Sequence, residues 1–476
     1  MRNVLSVTSE CVPLVKTGGL ADVAGALPSA LADHGWDMRT LLPAYPGLIE
    51  KAAATEVVFS FKKLMGGPAQ ILAGSAGGIK VLLLDAPHLY DRTGGPYGNP
   101  IDYPDNPLRF AALSFAAAEI GKAGLNDGWK PEVIHAHDWQ AGLVPVYLKA
   151  DPKNKVATVM TVHNIAFQGL APAAMLGAMN LPLDDYTSGD LEYWGQISTL
   201  KAGLVMSDAI TTVSPTYAAE LMRNEFGMGL EGVMASRADD LTGVLNGIDM
   251  DVWNPETDTE ITPYSAKSLK GKAACRKALM AEFGLSKISG PLAIIVSRLT
   301  SQKGMDLIAD AAGAFIAAGG GLAILGSGDP DIEASLRMLA RNHAGKVGLR
   351  IGYDEALSHR MFGGGDVVLV PSRFEPCGLT QLYGLRYGTV PVVAATGGLA
   401  DSVINANVMA QSAGLATGFQ FHPIDAMAFA HCLRGVTTLF ADKTNWTKLQ
   451  KRGMSQELGL GASSATYAAL YERITA

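Results

Sequence analysis

Two cations, Arg298 and Lys303, stand five positions apart in Ser297-Arg298-Leu299-Thr300-Ser301-Gln302-Lys303-Gly304. The stretch follows the apolar run Leu292 to Val296 directly, so both sit at one strand end beside the amides of a helix start. That combination matches a diphosphate in size and charge. Two solvated surface cations are the plainer alternative. An acid stands in a similar place in Pro371-Ser372-Arg373-Phe374-Glu375-Pro376-Cys377-Gly378-Leu379-Thr380-Gln381, after the run Val367 to Val370. Glu375 precedes Pro376, a residue suited to the first position of a helix. The amides of Cys377, Gly378, Leu379 and Thr380 are then predicted to be unpaired helix-start donors. A carboxylate next to an anion site suits a ligand with both hydroxyls and phosphates. A helix-start acid interacting only with the dipole would have the same sequence.

A third group is Lys16-Thr17-Gly18-Gly19-Leu20-Ala21-Asp22, between the run Val4 to Val7 and a helical spacing of Leu20, Val23, Leu27 and Leu31. Glycines at such a junction let backbone amides approach a phosphate closely. The same letters return in Thr396-Gly397-Gly398-Leu399-Ala400-Asp401, after Val390 to Ala394, which points to two similar lobes presenting glycine turns to a shared ligand. Two more strand ends carry histidines, in His135-Ala136-His137-Asp138-Trp139 and in Thr161-Val162-His163-Asn164. Two histidines at i, i+2 with an aspartate could ligate a metal or form a polar strand end; no third ligand group stands out. His163 could serve a sugar hydroxyl or a cationic centre, or be structural.

The elements that must position these groups are short apolar runs separated by helix-length segments. Besides those named, they include Met38 to Leu42, Val81 to Leu84, Val133 to Ala136, Ala157 to Val162, Ala209 to Val213, Leu241 to Leu245, Leu322 to Leu325, Leu349 to Ile351 and Phe419 to Phe421. Most lack alternation, the pattern of parallel strands covered by helices on both faces. The predicted fold class is α/β, with two doubly wound, Rossmann-like domains facing a central cleft. Ligands of such sheets bind beyond the carboxyl ends of the strands. The boundary is expected at the turn formers of Asn246-Gly247-Ile248-Asp249. The domains are therefore 1–247 and 248–456, followed by a helical tail, 457–476, with Tyr467, Leu470 and Tyr471 on one face.

The 476 residues are 48% hydrophobic and 17% charged, enough for large buried cores and unlike a disordered chain. The net charge of −7 and the lack of a basic cluster argue against nucleic-acid or anionic-membrane partners. The four cysteines fit neither a zinc pattern nor a disulfide framework. The uncharged stretch Ala311 to Gly328 has the length of a membrane span, but Gly319-Gly320-Gly321 divides it into a helix end and a strand. With no signal-peptide layout at the start, the expected location is cytoplasmic. The sequence sets no oligomeric state.

The motifs above, together with Gly94-Gly95-Pro96-Tyr97, Asn246-Gly247-Ile248-Asp249 and Val252-Trp253-Asn254-Pro255, occur in order over nearly the whole chain. As a set they resemble the bacterial glycogen synthase and plant starch synthase family, retaining glucosyltransferases of the GT-B fold. The resemblance implies transfer of glucose from ADP-glucose to the non-reducing 4-hydroxyl of an α-1,4-glucan, releasing ADP, with no metal and no cofactor. It implies that Arg298 and Lys303 neutralise the diphosphate and that Glu375 reaches the glucose hydroxyls. The amides of Cys377, Gly378, Leu379 and Thr380 hold glucose and phosphate. His163 lies on the reacting face of the sugar. Lys16, Gly18 and Gly19 approach the distal phosphate from the other lobe, with Asp22 in the same loop. Tyr353 stacks on the base, Asn246 reaches the sugar, and Asp138 and Tyr97 are further contacts. The tail helix is implied to cross back to the first domain. Alternatives are a UDP-glucose-dependent or other-acceptor transferase, a non-catalytic nucleotide-sugar or glucan sensor, and a pyridoxal-dependent glucan phosphorylase.

Two positions depart from family patterns. Related families carry a second glutamate eight positions after the first, where this chain has Tyr383. A double displacement needs a carboxylate nucleophile, so a single carboxylate near the donor favours a same-face reaction. Near the tail, Glu457-Leu458-Gly459-Leu460-Gly461 replaces the family's aromatic Phe-Ser-Trp, which bears on how the tail packs.

Overall fold

Each apolar run singled out for burial coincides with a strand. The computed structural model describes residues 1–98 and 101–476 and divides into two units, residues 1–246 with 460–476, and residues 247–459. The strands of the first unit are β1 (Arg2–Val7), β2 (Trp36–Pro43), β3 (Glu56–Leu64), β4 (Gly67–Ala76), β5 (Ile79–Asp85), β6 (Val133–His137), β7 (Ala157–Val162), β8 (Leu170–Pro172), β9 (Glu192–Tyr193), β10 (Gln196–Ser198), β11 (Ala209–Thr212) and β12 (Leu241–Gly243). Nine form one sheet in the order β12-β11-β7-β6-β1-β2-β5-β4-β3, and β8-β10-β9 form a small antiparallel sheet.

The second unit has β13 (Leu292–Val296), β14 (Gly321–Gly326), β15 (Val347–Ile351), β16 (Val367–Val370), β17 (Val390–Ala394) and β18 (Phe419–Phe421), all parallel, in the order β15-β14-β13-β16-β17-β18. Counted from β13 this is the 3-2-1-4-5-6 order of a dinucleotide-type Rossmann sheet. The parallel strands of the first unit wind the same way, outward from β1 to β2 and β5 on one side and to β6, β7, β11 and β12 on the other. Burial on both faces is visible in β13. Ala293 and Ile295 join one apolar cluster, while Leu292 and Ile294 join the cluster on the opposite face.

The first sheet is not wholly parallel as expected. β3 and β4 form an antiparallel hairpin that adds to the edge through β5. Along β3 exposure alternates irregularly, with Val58 and Leu64 buried and Glu56, Val57, Lys62 and Lys63 out, so the strand lacks the continuous apolar run of a two-faced burial. Within the uncharged stretch Ala311 to Gly328, a helix (Met305–Ala317) ends and β14 begins. Among the described residues no helix is long and apolar enough to cross a membrane. The tail is the helix Gly461–Ile474, and it completes the core of the first unit. Tyr467, Leu470 and Tyr471 pack with Val4, Leu27, Leu31 and Trp36, and the Tyr471 ring meets Trp36 edge-on at 5.3 Å.

Candidate active site

While His163 follows β7 and Tyr353 follows β15, in each unit part of the candidate set lies at the carboxyl ends of the two strands where the winding direction reverses, the place where doubly wound sheets bind ligands. In the second unit these strands are β13 and β16. Arg298 and Lys303 lie in the loop after β13, and Glu375 lies in the loop after β16. Lys303 Nζ lies 2.5 Å from Glu375 Oε2, and Ser372 Oγ donates to the same oxygen at 3.0 Å. The carboxylate is buried and held by a cation and a hydroxyl. Arg298 is exposed, and among the described residues its guanidinium makes no hydrogen bond or ion pair.

The two loops are tied together by more than this pair. Arg373 N donates to Gln302 O at 2.9 Å, and its guanidinium forks onto Asp306 at 2.6 and 2.7 Å. Gly304, at φ +68, approaches Pro371 so closely that a Cβ there would lie 1.9 Å from the Pro371 carbonyl oxygen. The loops therefore move as one body, and two cations and one acid are presented at fixed spacing.

The helix predicted to begin at Pro376 begins at Thr380 instead, with Leu379 as its cap. Gly378 takes φ +73, which a helix start cannot continue through, and residues 376–379 form a loop. Gln381 braces that loop, donating to the carbonyls of Cys377 and Gly378 at 3.1 and 2.9 Å. In the echo Thr396 to Asp401, Gly397 and Gly398 are buried under the Glu375 loop. Gly398 N donates to Pro376 O at 3.0 Å, and a Cβ on Gly397 would meet Glu375 O at 2.0 Å. Tyr353 follows β15, is 80% exposed, and donates to Glu355 Oε2 at 2.6 Å. Tyr383, in place of a second acid, stacks on Trp253 at 3.7 Å.

In the first unit the reversal falls between β1 and β6. The loop after β1 carries Lys16 to Asp22, and Lys16 Nζ pairs with Asp22 Oδ1 at 2.8 Å. Part of the anion site expected at this turn is taken up by an acidic residue of the chain itself. Buried Glu10 accepts from Thr17 N, from Gly18 N at 3.1 Å, from Thr17 Oγ1 at 2.6 Å and from Tyr97 Oη at 2.7 Å. A carboxylate on the chain itself thus fills part of the turn's anion site. Glu10 follows β1 directly in Thr8-Ser9-Glu10, so its place after a central strand was the available signal. Lys16, Gly18 and Gly19 remain exposed.

Asp138 directly follows β6 and opens a short helix, Asp138–Ala141, at φ +54, a left-handed conformation that a non-glycine residue rarely adopts and that recurs at functional sites. Its Oδ1 accepts from His163 N at 2.7 Å, which fixes the turn after β7. Burial pushes the Asp138 carboxyl up to about 7; the bonds from His163 and Asn164 oppose this, and the nearby Glu10 charge adds to it. Burial lowers His163 to about 3, so the ring is neutral at physiological pH. His163 Nε2 lies 3.0 Å from His137 Nδ1, and His137 Nε2 lies 3.2 Å from Ser6 Oγ. His135 meets Tyr471 Oη at 2.7 Å and Thr161 Oγ1 at 2.5 Å. The two histidines of the pair are thus engaged at all four ring nitrogens, as a polar brace behind His163. Asn246 closes the first unit and is half-buried.

Chemically, the second unit brings two cations close to a buried carboxylate, and the first holds a neutral, half-buried histidine through the backbone bond to Asp138. Comparison with known proteins agrees in kind. Residues 3–236 match the starch synthase catalytic domain family, and residues 290–438 match the glycosyl transferases group 1 family. The chain is 58% identical to a glycogen synthase of Cereibacter sphaeroides, covering 99% of this chain and 98% of that one. It is 56% identical to the glycogen synthase of Paracoccus denitrificans over the whole of both. Among solved structures, the catalytic domain of starch synthase IV from Arabidopsis thaliana, bound to ADP and acarbose, superposes with a TM-score of 0.89 at 32% identity, covering 100% of this chain and 99% of that one. Sucrose-phosphate synthase from Thermosynechococcus elongatus shares the fold at a TM-score of 0.61 and 17% identity, again over 100% and 99% of the two chains.

Proposed function

Because the chain belongs to the glycogen synthase and starch synthase family of glycosyltransferases, we propose that it transfers glucose from ADP-glucose to the non-reducing 4-hydroxyl of an α-1,4-glucan with retention of configuration. The observation that carries the reading is the Arg298, Lys303 and Glu375 group at the β13/β16 reversal. An exposed guanidinium and a lysine facing a buried carboxylate suit a diphosphate whose far end bears a sugar. In this reading Arg298 and Lys303 stabilise the charge of the departing diphosphate, and no metal or organic cofactor is needed. Glu375 accepts from the glucose hydroxyls, and residues Cys377 to Thr380 line the sugar and phosphate. Tyr353 stacks on the base through its exposed ring. ADP in the starch synthase IV structure supports an adenine nucleotide as donor.

In the first unit, Lys16, Gly18, Gly19 and Asp22 serve the distal phosphate and sugar, with Tyr97 and Asn246 as further contacts. The neutral His163 ring faces the reacting carbon, where an imidazolium would oppose a cationic centre. Asp138 holds the His163 backbone in place. With tyrosine at position 383, the leaving diphosphate itself takes the acceptor's proton on the face it departs from, while the enzyme stabilises charge in the transition state. A cytoplasmic site of action fits an intracellular nucleotide sugar.

The test is an initial-rate comparison of ADP-glucose with UDP-glucose on glycogen primer, repeated with Lys303→Ala. ADP-glucose is expected to be the better donor. Loss of the Lys303 charge is expected to lower kcat by roughly 10² to 10³, as for other groups that stabilise transition-state charge. Equal rates with UDP-glucose would overturn the donor assignment, and near-parent turnover in Lys303→Ala would overturn the clamp. Turnover should persist in excess EDTA; loss restored by a divalent ion would show that a metal takes part.

A further inference from the structure

Three large apolar side chains of the first unit are exposed: Trp194 at 85%, Phe167 at 57% and Met228 at 46%. The segments that carry them are tied at a single carbonyl. Met228 O accepts from Gln168 Nε2 at 2.8 Å and from Tyr193 Oη at 3.2 Å, the immediate neighbours of Phe167 and Trp194. Trp194 and Gly195 form the two-residue turn joining β9 to β10, and both have positive φ, +50 and +78. Turns of this kind favour asparagine, aspartate or glycine at the first position. Here the position holds a tryptophan with its ring in solvent. Met228 is likewise left-handed, at φ +51. Two exposed, bulky residues in an unfavourable backbone conformation, on segments joined by the Tyr193–Met228 hydrogen bond, mark a surface kept for binding rather than for folding.

The turn is flanked by a carboxylate and an amide. Glu192 accepts from Gly195 N at 2.6 Å, and Gln196 is exposed beside it. A carboxylate at the turn does not favour nucleic acid or anionic lipid. It suits a neutral chain that has apolar C–H faces for an aromatic ring and hydroxyls that carboxylates and amides can accept. Phe167 lies on the loop that begins with His163, so the surface is continuous in sequence with the turn assigned to the reacting sugar.

We propose that Trp194 and Phe167 form a platform for the acceptor α-glucan, on which glucose units beyond the reacting one stack. This rests on the glucan-extending function proposed above and names where its acceptor is held. The experiment uses the full chain, with W194A, W194F and the F167A/W194A double variant. Glycogen retention is measured by affinity electrophoresis, acceptor KM with maltoheptaose and glycogen, and mass by light scattering. Removal of both rings is expected to weaken retention and raise acceptor KM by about tenfold, the effect typical of truncating an aromatic anchor. The donor KM should keep its parent value, and W194F should fall between parent and W194A. Equal retention and equal acceptor KM in parent and double variant would overturn the platform and leave the proposed function intact. A parent chain that neither retains glycogen nor transfers glucose would overturn both. A W194A chain that drops in mass while holding glycogen as before would assign the surface to a second copy and overturn the proposal.

Discussion

At the scale of single residues, Asp138 combines a buried carboxyl with an unfavourable backbone conformation. Its carboxyl is raised from 3.8 to about 7 by burial, and its backbone is held at φ +54. Between about pH 4 and pH 7 the folded chain keeps a proton that the unfolded chain has lost. Stability therefore falls as pH rises through that window and stays low above it. Asp138→Asn keeps an oxygen for His163 N but cannot ionise. The variant is expected to lose the downward slope and to exceed its parent at pH 8 by up to ~4 kcal/mol. Turnover should drop by at least about tenfold if the charge is used in the reaction. Denaturant unfolding at pH 4.5, 6 and 8 checks the slope; parallel pH profiles for the two chains would show that burial of this charge is not what the site sustains.

At the scale of elements, the echo of the glycine motif behaves as a support. Gly397 sits at φ +44 under the carbonyl of Glu375, and Gly398 donates into the same loop. Gly397→Ala would place a methyl group 2.0 Å from that carbonyl oxygen, so the loop must move. The expected result is a kcat loss comparable to a displaced catalytic group, on the order of 10²-fold for a shift of about 1 Å, with the unfolding midpoint only modestly lowered. Full activity in Gly397→Ala would show that the Glu375 loop takes its position from elsewhere.

The strands and the reversal points were legible because continuous apolar runs such as Val367 to Val370 have one interpretation, burial on both faces. The β3–β4 hairpin was not legible, because a half-exposed edge strand carrying Lys62 and Lys63 looks like surface. The helix start at Thr380 was hidden because Pro376 signals a helix turn more strongly than Gly378 signals a break. Among the candidate residues, His163 is drawn in by the family resemblance, while Arg298, Lys303 and Glu375 stand out by type and position. Glu10 does not, since a carboxylate that serves its own loop has no spacing signature. Nor does the bond between Tyr471 and His135, which joins residues 336 positions apart.

At the scale of the whole molecule, the chain leaves the first unit at Asn246 and returns to it at Leu460. The returning helix fills the space over β1 and β2 with Tyr467, Leu470 and Tyr471, each at most 5% exposed. At roughly 1.5–3 kcal/mol for each large apolar side chain fully buried, the three contribute on the order of 5–9 kcal/mol, an amount comparable to the net stability of a domain. Leucine in the stretch before the helix does not leave it unanchored. Leu458 is buried in the second unit and accepts from Ile248 N at 2.8 Å, so the aromatic residue expected there is not needed to fix the crossing. A chain ending at Gly459 should therefore lose the first unit selectively. Limited proteolysis is expected to degrade residues 1–246 while a fragment near 247–459 persists. Tyr471→Phe should keep the packing but lose the His135 bond, at about 1 kcal/mol, with a fall in kcat because the histidine brace behind His163 loosens. If the shortened chain resists protease as the parent does and unfolds at the same temperature, the first unit's core is complete without its tail.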